Sequence, residues 1–385
     1  MKIPFDAEKL NALMAGAGVD LVLATSKHNC QYLLGGYRFF FFAHLEAIGL
    51  SRYLPGLGIP RGNLDGAFYI GNSMEVWQQA GEPLWVGTVR NTSWSSVSTA
   101  KEAAAQIRKL GLAGGTVAVE KSFLPADALA ALQEELPHAK WVEALPILEE
   151  LRAVKRPEEL ALLREASEAI VDSMLAVARG TKSGTTSREI ARRMHKEEAA
   201  RGLNFEYCLV AVGPSFIRAP SEARWEPGRV ISLDSGGNKE GYIGDLARMA
   251  VMGKPTATMR DLLAEVQAVQ AAARTAARAG APGGGIYTAA LAEQAKCPHA
   301  NEMVFLAHGM GLISHEAPHL TSTGVVPYPG THADRPLEAG MVLSIETELK
   351  NPEVGFVKLE DTIAVTRDGF EALGDRGRDW IEADG

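Results

Sequence analysis

Cysteine is scarce in this sequence: the chain of 385 residues contains only Cys30, Cys208 and Cys297. An odd and scattered set argues against a disulfide framework and indicates a reducing compartment, and no pair has metal-ligand spacing. Basic charge is also in deficit, because 39 Lys and Arg stand against 47 Asp and Glu, for a formal net charge of −8. This balance argues against a nucleic-acid partner, which favours a basic surface.

Long apolar runs are missing as well. No stretch approaches the ~18 apolar residues of a membrane span. Four of the first ten residues are charged, Lys2, Asp6, Glu8 and Lys9, whereas a signal peptide needs an apolar core. These absences predict a cytoplasmic protein without a membrane partner. The most hydrophobic short segment, 39–42, consists of four phenylalanines and is interpreted as a buried strand, with an aromatic wall of a substrate site or subunit interface as the alternative.

The length of the chain predicts two domains, since single cores stop growing near ~250–300 residues. We place them at 1–150 and 151–385. Strand and helix signals alternate through the first segment, which predicts an α/β domain with a mixed sheet. The second segment opens with Pro157 at the start of a long predicted helix, followed by further amphipathic helices and apolar strands.

Two acids stand out in the stretch 230–245. Asp234 ends an apolar run, and Asp245 follows the turn-forming residues Gly-Gly-Asn-Lys and a second strand-like piece. This pattern predicts a β-hairpin that brings the two carboxylates together. Facing carboxylates repel unless a cation lies between them or one is protonated. For either Asp alone, a role in the turn is the simpler interpretation.

Three more polar residues, His308, Glu346 and Glu360, are set into apolar, β-branched runs typical of buried strands. A buried charge is costly unless it is paired or coordinates a metal. Four carboxylates and one imidazole suit two divalent cations such as manganese, cobalt, iron or zinc, and four negative ligands neutralise two dications. The sequence therefore predicts a metal site.

The order Asp, Asp, His, Glu, Glu resembles the pita-bread metallopeptidase superfamily, which includes methionine aminopeptidase, aminopeptidase P, prolidase and creatinase. The segment 151–159, Leu-Arg-Ala-Val-Lys-Arg-Pro-Glu-Glu, is similar to the opening of the catalytic domain in the prolidase branch, and 28–36 to a part of its N-terminal domain. The resemblance implies a creatinase-like α/β N-terminal domain and an α+β pita-bread catalytic domain with a curved antiparallel sheet. It also implies a homodimer, with 37–42 as a candidate contact.

The resemblance assigns each ligand a place. Asp234 binds one metal, Asp245 and Glu360 bridge two, and His308 and Glu346 complete the second site. Two divalent ions are expected, manganese first, with cobalt, iron or zinc as alternatives. A bridging hydroxide attacks the scissile carbonyl of an Xaa-Pro or related small amide bond.

The catalytic residues implied by the resemblance are Glu346 and His315. Glu346 shuttles the proton to the leaving amine. His315 matches a family histidine that contacts the substrate carbonyl or the tetrahedral intermediate. His332 and Arg335 lie in a long loop where dipeptidases of the family hold the free carboxylate of the substrate.

The sequence departs from the family pattern upstream of Asp234, where a histidine is usual and this chain has none. Ser221 lies near the expected place, and Arg218 is a second candidate for contact with the substrate. A hydroxyl cannot replace an imidazolium as a charged donor. Pro-Gly is also replaced by Thr347-Glu348 directly after the fourth ligand.

Three classes of function remain open. The first is a dinuclear metallohydrolase that acts on Xaa-Pro or related small amide bonds in a small peptide. The second is a lyase or non-peptide C–N hydrolase of a small molecule on the same fold, as in the dimethylsulfoniopropionate lyases of the superfamily. The third is an inactive binding module, although such members usually lose ligands and none is lost here.

Overall fold

The computed structural model describes residues 2–41 and 53–384 of the chain. Contacts divide the chain into two compact units, Met1–Leu151 and Arg152–Gly385. Within the described ranges, no helix combines the length and the apolar character needed to cross a membrane.

The first unit is built on a mixed sheet. Its strands are β1 (Leu21–Ala24), β2 (Gly56–Pro60), β3 (Phe68–Asn72), β4 (Thr88–Ser93), β5 (Thr116–Val119) and β6 (Lys140–Glu143). They lie in the order β4-β3-β2-β1-β5-β6. Because β1 pairs antiparallel with β2 and parallel with β5, the prediction of a mixed sheet is confirmed.

Helices cover this sheet. They are α1 (Ala7–Gly16), α2 (Lys27–Leu33), α3 (Val76–Gly81), α4 (Ser96–Lys109), α5 (Ala126–Glu135) and α6 (Leu145–Arg152). Leu21 and Leu23 of β1 share one apolar core with Ala103 and Ile107 of α4 and Leu132 of α5. Residues two apart on a strand point to the same face, so this core lies on one side of the sheet.

The phenylalanine run does not form the predicted strand. Phe39 is buried and its ring packs edge-on against Tyr53, with centroids 5.5 Å apart. Phe40 is 54 % exposed, and Phe40 and Phe41 form a short 3-10 turn. The interpretation as a buried strand is therefore wrong for residues 39–41, which pack through their aromatic rings and do not belong to a strand. Phe42 lies outside the described residues.

The described part of the second unit contains ten strands. They are β7 (Thr185–Thr186), β8 (Asn204–Val212), β9 (Arg224–Trp225), β10 (Val230–Lys239), β11 (Tyr242–Met252), β12 (Met303–Gly309), β13 (Val342–Asn351), β14 (Gly355–Val365), β15 (Phe370–Leu373) and β16 (Ile381–Ala383). The main sheet has the order β12-β13-β14-β11-β10-β8, with β15 beside β14 and β16 parallel to β11. β7 and β9 form a separate pair.

The predicted hairpin exists, although its turn lies further along the chain. β10 and β11 pair antiparallel from Val230 opposite Val251 to Lys239 opposite Tyr242. The glycines at 236 and 237 lie within β10, and the two-residue turn is Glu240-Gly241. Both turn residues have positive φ, 49° and 89°, as a type I′ turn requires.

Four helices pack on the main sheet: α7 (Pro157–Gly180), α8 (Ser187–Ala200), α9 (Ala257–Ala276) and α10 (Gly285–Gln294). α7 and α8 share a core with Ile231 and Leu233 of β10. α9 and α10 share another with Ile345 of β13 and with Val357 and Leu359 of β14. Neighbours of these apolar residues point to the other face of the sheet, where the polar residues of the unit are available for a site.

A buried acid on α8 gives the fold a pH-dependent weakness. Glu198 is fully buried, and Oε1 accepts a hydrogen bond of 2.6 Å from the hydroxyl of Ser235. Among the described residues, Oε2 has no hydrogen-bond partner. Burial raises the pKa of Glu198 from 4.5 to about 7, against the opposing effect of Ser235.

Glu198→Gln should remove this weakness. The folded protein holds the proton of Glu198 more tightly than the unfolded chain, so the contribution to stability is present at low pH and lost as pH rises through about 7. From about pH 4 to pH 8, the unfolding free energy of the variant should rise by about 3 kcal/mol relative to wild type, as measured by urea denaturation. Glu197→Gln, on the exposed side of the same helix, is the control. A constant difference between the variant and wild type across this range contradicts the expectation.

Candidate metal centre

Five neighbouring strands bring the predicted ligands together. Asp234 lies on β10, Asp245 on β11, Glu360 on β14, Glu346 on β13 and His308 on β12. Glu346 and Glu360 are directly opposite each other across the β13–β14 ladder. In β10, β13 and β14 the ligand alternates with an apolar residue that packs under the helices. Strand alternation therefore places these carboxylates on the face that the helices leave free.

Three of the ligands already have the spacing of a cation site. Asp245, His308 and Glu360 are all buried, and each offers one ligand atom within 4.8 Å of the other two. Two carboxylates and one imidazole are donors that suit manganese, iron, cobalt or zinc. The residues present therefore fit a divalent cation. The other two predicted ligands, Asp234 and Glu346, are joined to Glu360 by a lysine that contacts all three carboxylates.

That lysine is Lys358, which lies on the ligand face of β14 two residues before Glu360. Its Nζ is 2.6 Å from Asp234 Oδ2, 2.6 Å from Glu346 Oε2 and 2.8 Å from Glu360 Oε2. Lys358 is 3 % exposed, so one buried ammonium is shared by the buried carboxylates of Asp234 and Glu360 and the partly buried carboxylate of Glu346. Sequence reasoning missed Lys358. The available signal was a second charged residue, two positions before Glu360, in the same apolar strand.

The pKa values of the site's carboxyl groups are shifted because several charged groups lie close together. Burial and the nearby Glu360, Asp234 and Glu346 raise the pKa of Asp245 well above its usual range. Burial and Glu346 likewise raise the pKa of Glu360 to about 7, against Lys358. For Glu346, burial raises the pKa, but Lys358 and His308 outweigh it and hold the pKa below its usual range. Glu346 is thus held in its charged form in the metal-free chain.

His308 presents a defined nitrogen to the site. Its Nδ1 lies 3.1 Å from the carbonyl oxygen of Gly309, which can only accept, so Nδ1 carries the proton. Nε2 lies 3.1 Å from Glu346 Oε1. Because the backbone holds Nδ1 as the donor, Nε2 is the nitrogen available to a metal.

Tyr207 of β8 is a second residue that sequence reasoning missed. Its hydroxyl donates to Asp245 Oδ1. The ring crosses Gly236, where a Cβ would lie 2.4 Å from Tyr207 Cε1, so only glycine admits it. The Gly-Gly pair in β10 was the available signal, since glycine within a strand marks a close approach of another group.

A strained residue follows the strand that carries His308. His315 has a φ of 63°, in the left-handed region that is uncommon for residues other than glycine. The next residue, Glu316, is buried and binds Arg152 Nε at 3.0 Å and Lys155 Nζ at 2.8 Å. Burial opposes ionisation, but these two cations lower the pKa of Glu316. The Glu316 ion pairs hold the backbone that carries His315, as expected for strain maintained at a functional site.

A row of stacked imidazole and phenol rings begins at His308. The imidazoles of His308 and His315 stack with centroids 3.8 Å apart and planes 11° apart. Desolvation of its ring by the groups packed around it, together with the nearby His308, lowers the pKa of His315 to about 4. His315 Nδ1 is hydrogen-bonded to the hydroxyl of Tyr328, whose ring stacks on His319 with centroids 5.8 Å apart. His332 Nδ1 accepts from the backbone N–H of His319 at 3.1 Å, which joins His332 to this row.

The other predicted substrate residues have different places. Arg218 lies at the site, where its guanidinium is bonded to Asp234 Oδ2 and lies over the ring of Phe356, 5.1 Å from the centroid. The Ser221 hydroxyl is 3.2 Å from that of Ser187, at the start of α8, and has no described hydrogen bond to a predicted ligand. Arg335 is exposed in the loop after His332. Their roles towards a substrate stay predictions.

Two profiles of known protein families match the chain. It belongs to metallopeptidase family M24, whose profile matches residues 161–367, more than half of the sequence. The creatinase/prolidase N-terminal domain matches residues 7–154. The pita-bread fold, the membership of this peptidase family and the expectation of an enzyme are confirmed, and the family implies divalent metal ions.

Individual relatives are distant but span much of the chain. An Xaa-Pro dipeptidase of Pyrococcus horikoshii is 24 % identical over 269 residues, covering 68 % of this chain and 74 % of the relative. An Xaa-Pro dipeptidase of Lactobacillus delbrueckii is 25 % identical over 309 residues, covering 77 % and 80 %. The prolidase structure from Thermococcus sibiricus superposes with a TM-score of 0.81 at 21 % identity, covering 100 % and 99 %, which shows the shared fold.

Lys358→Met should destabilise the metal-free protein and increase its response to metal. Removing the ammonium leaves three buried carboxylates without their shared partner, and breaking a buried pair typically costs about 3–5 kcal/mol. Added Mn²⁺ replaces the lost positive charge, so it should raise the melting temperature of the variant more than that of wild type.

The measurement is a thermal melt after chelation, with and without Mn²⁺. Lys350→Met is the matched control, because Lys350 lies on the neighbouring strand β13 and its side chain is 47 % exposed. A metal-free Lys358→Met protein that is as stable as wild type contradicts the expectation.

Proposed function

We propose that this chain is a metal-dependent dipeptidase that hydrolyses short peptides, with the Xaa-Pro bond as its first candidate substrate. The observation that carries the proposal is the convergence of Asp245, His308 and Glu360 within 4.8 Å, beside Glu346, in a chain of family M24. The relatives named Xaa-Pro dipeptidase support the choice of bond.

Divalent ions bound by these residues supply Lewis acidity towards the scissile carbonyl and lower the pKa of the attacking water. Glu346 is the proton shuttle in this proposal. Its carboxylate lies 3.1 Å from His308 Nε2 and directly opposite Glu360, so it is placed to accept a proton from the water and pass it to the leaving amine. His315 donates a hydrogen bond to the substrate carbonyl oxygen as negative charge develops there.

We propose two ions for each chain, with manganese as the first candidate, because the donor set is rich in carboxylates. Asp234, Asp245, His308, Glu346 and Glu360 would hold the two ions between them. Because Lys358 bonds to Asp234, Glu346 and Glu360, binding of the ions would require Lys358 to release these carboxylates.

The proposal also includes a homodimer and a cytoplasmic location. The location is supported by the cysteines, since Cys30, Cys208 and Cys297 are all free. The homodimer rests on the resemblance to the prolidase branch.

A lyase or a non-peptide C–N hydrolase is the second candidate, and Arg218 is the observation that favours it. A guanidinium bonded to Asp234 lies at the site, whereas the family pattern places a histidine upstream. Arg218 is 30 % exposed in its side chain, so it can contact a small charged substrate. A charged group of such a substrate would take the place of the charge that the upstream histidine provides in the family pattern.

Hydrolysis of Xaa-Pro dipeptides tests the proposal directly. The metal-loaded wild type should cleave them with a kcat/KM below ~10⁴ M⁻¹s⁻¹, because a missing preorganised donor typically costs ~10²–10³ in rate. Glu346→Gln should retain the fold by circular dichroism and lose turnover. Peptide bonds left intact by a wild type that retains bound metal contradict the proposal and favour the second candidate.

A further inference from the structure

Among the described residues, the hydroxyl of Tyr328 has a single hydrogen-bond partner. Tyr328 lies in the loop after His315 and is 8 % exposed. Its hydroxyl is hydrogen-bonded to Nδ1 of His315 and makes no other hydrogen bond within the described part of the chain. The two rings are nearly parallel, 28° apart, with centroids separated by 5.9 Å.

His315 is fixed on several sides but open at Nε2. One face of its ring stacks on His308, its backbone has a φ of 63°, and the following Glu316 is held by two buried cations. Solvent reaches the residue, which is exposed. Nε2 has no hydrogen-bond partner among the described residues, so it is free to meet a substrate.

The direction of the hydrogen bond decides what Nε2 can do. A neutral imidazole has one nitrogen that donates and one that accepts. If Tyr328 donates to Nδ1, the proton of His315 lies on Nε2, which becomes a donor. If Nδ1 donates to the phenol instead, Nε2 becomes an acceptor and the phenolic hydrogen of Tyr328 is left without an acceptor.

The second arrangement is the costlier one. A buried donor that lacks a partner costs about 1–3 kcal/mol, and Tyr328 is buried. No other described residue accepts from its hydroxyl. The hydrogen-bond inventory therefore favours donation from Tyr328 to Nδ1.

We propose that Tyr328 is a positioning residue for His315, and that its hydroxyl holds the imidazole in the Nε2–H tautomer so that Nε2 donates to the substrate. The catalytic consequence rests on the proposed function, whereas the tautomer does not. Tyr328 acts only through His315 in this proposal and does not itself touch the reacting atoms.

The tautomer can be measured without turnover. Protein labelled with ¹⁵N in its histidine rings is loaded with Zn²⁺, which is diamagnetic, and examined by long-range ¹H–¹⁵N correlation spectra. His315→Gln assigns the signals by their loss. We expect wild-type His315 to show a protonated Nε2 and an unprotonated Nδ1, and Tyr328→Phe to show a mixture of tautomers.

Tyr242→Phe is the matched control. It removes a buried hydroxyl of the same unit, which donates to Glu159 at 2.8 Å, and it should leave the His315 spectrum unchanged. A wild-type His315 with its proton on Nδ1 overturns the proposal, and so does an unchanged Nε2–H tautomer in Tyr328→Phe. If Tyr328→Phe does not fold, the wild-type spectrum alone decides.

Kinetics then separate this proposal from the proposed function. With a cleaved peptide, Tyr328→Phe should lower kcat roughly 10–100-fold and leave KM within about twofold, less than the ~10²–10³-fold cost of deleting a donor. A normal kcat in this variant overturns the positioning role. If the wild type cleaves no peptide but shows the Nε2–H tautomer that Tyr328→Phe loses, the proposed function fails and the assignment of Tyr328 stands.

Discussion

Repulsion between buried carboxylates is the constraint on which the rest of the site depends. Asp234, Asp245, Glu346 and Glu360 are held on one face of a sheet, where low exposure to water leaves their charges poorly screened. In the described structure, Lys358 offsets this repulsion by bonding to three of the four. Positive charge at this position stabilises the folded arrangement of the carboxylates, and a divalent ion carries more positive charge than one ammonium.

Ion pairs on the opposite face of the sheet brace the strand that carries Glu360. Asp361, the neighbour of the ligand Glu360, points under the helices and bonds to Arg248 at 3.1 Å and to Arg274 at 3.2 Å. Arg248 also donates to the carbonyl of Glu360 at 2.7 Å, so a buried guanidinium fixes the backbone of a ligand. This placement agrees with strand alternation, which predicts that Arg248 and Asp245 lie on opposite faces.

The grouping of the predicted ligands in one place could be foreseen from the sequence because each residue carries a local signal. A His or Glu within an apolar, β-branched run is costly unless it has a partner, and His308, Glu346 and Glu360 each stand in such a run. Lys358 carries the same signal and was missed because it matched no expected ligand.

Tyr328 had no local signal. Its contact with His315 depends on the course of a long loop, which neither periodicity nor turn residues define. The place of Ser221 is another case, since its hydroxyl meets Ser187 through the pairing of β7 with β9. The hairpin turn was misplaced for a simpler reason. The glycines at 236 and 237 resemble a turn but belong to β10, where Gly236 makes room for Tyr207.

Anomalous X-ray diffraction from crystals soaked in Mn²⁺ tests the central claim most directly, because it locates the ions instead of counting them. The account predicts two peaks enclosed by Asp234, Asp245, His308, Glu346 and Glu360, with Lys358 displaced from the carboxylates to which it bonds. A site without anomalous density at saturating Mn²⁺, with Lys358 still bonded to its three carboxylates, contradicts the claim that these residues form a metal centre.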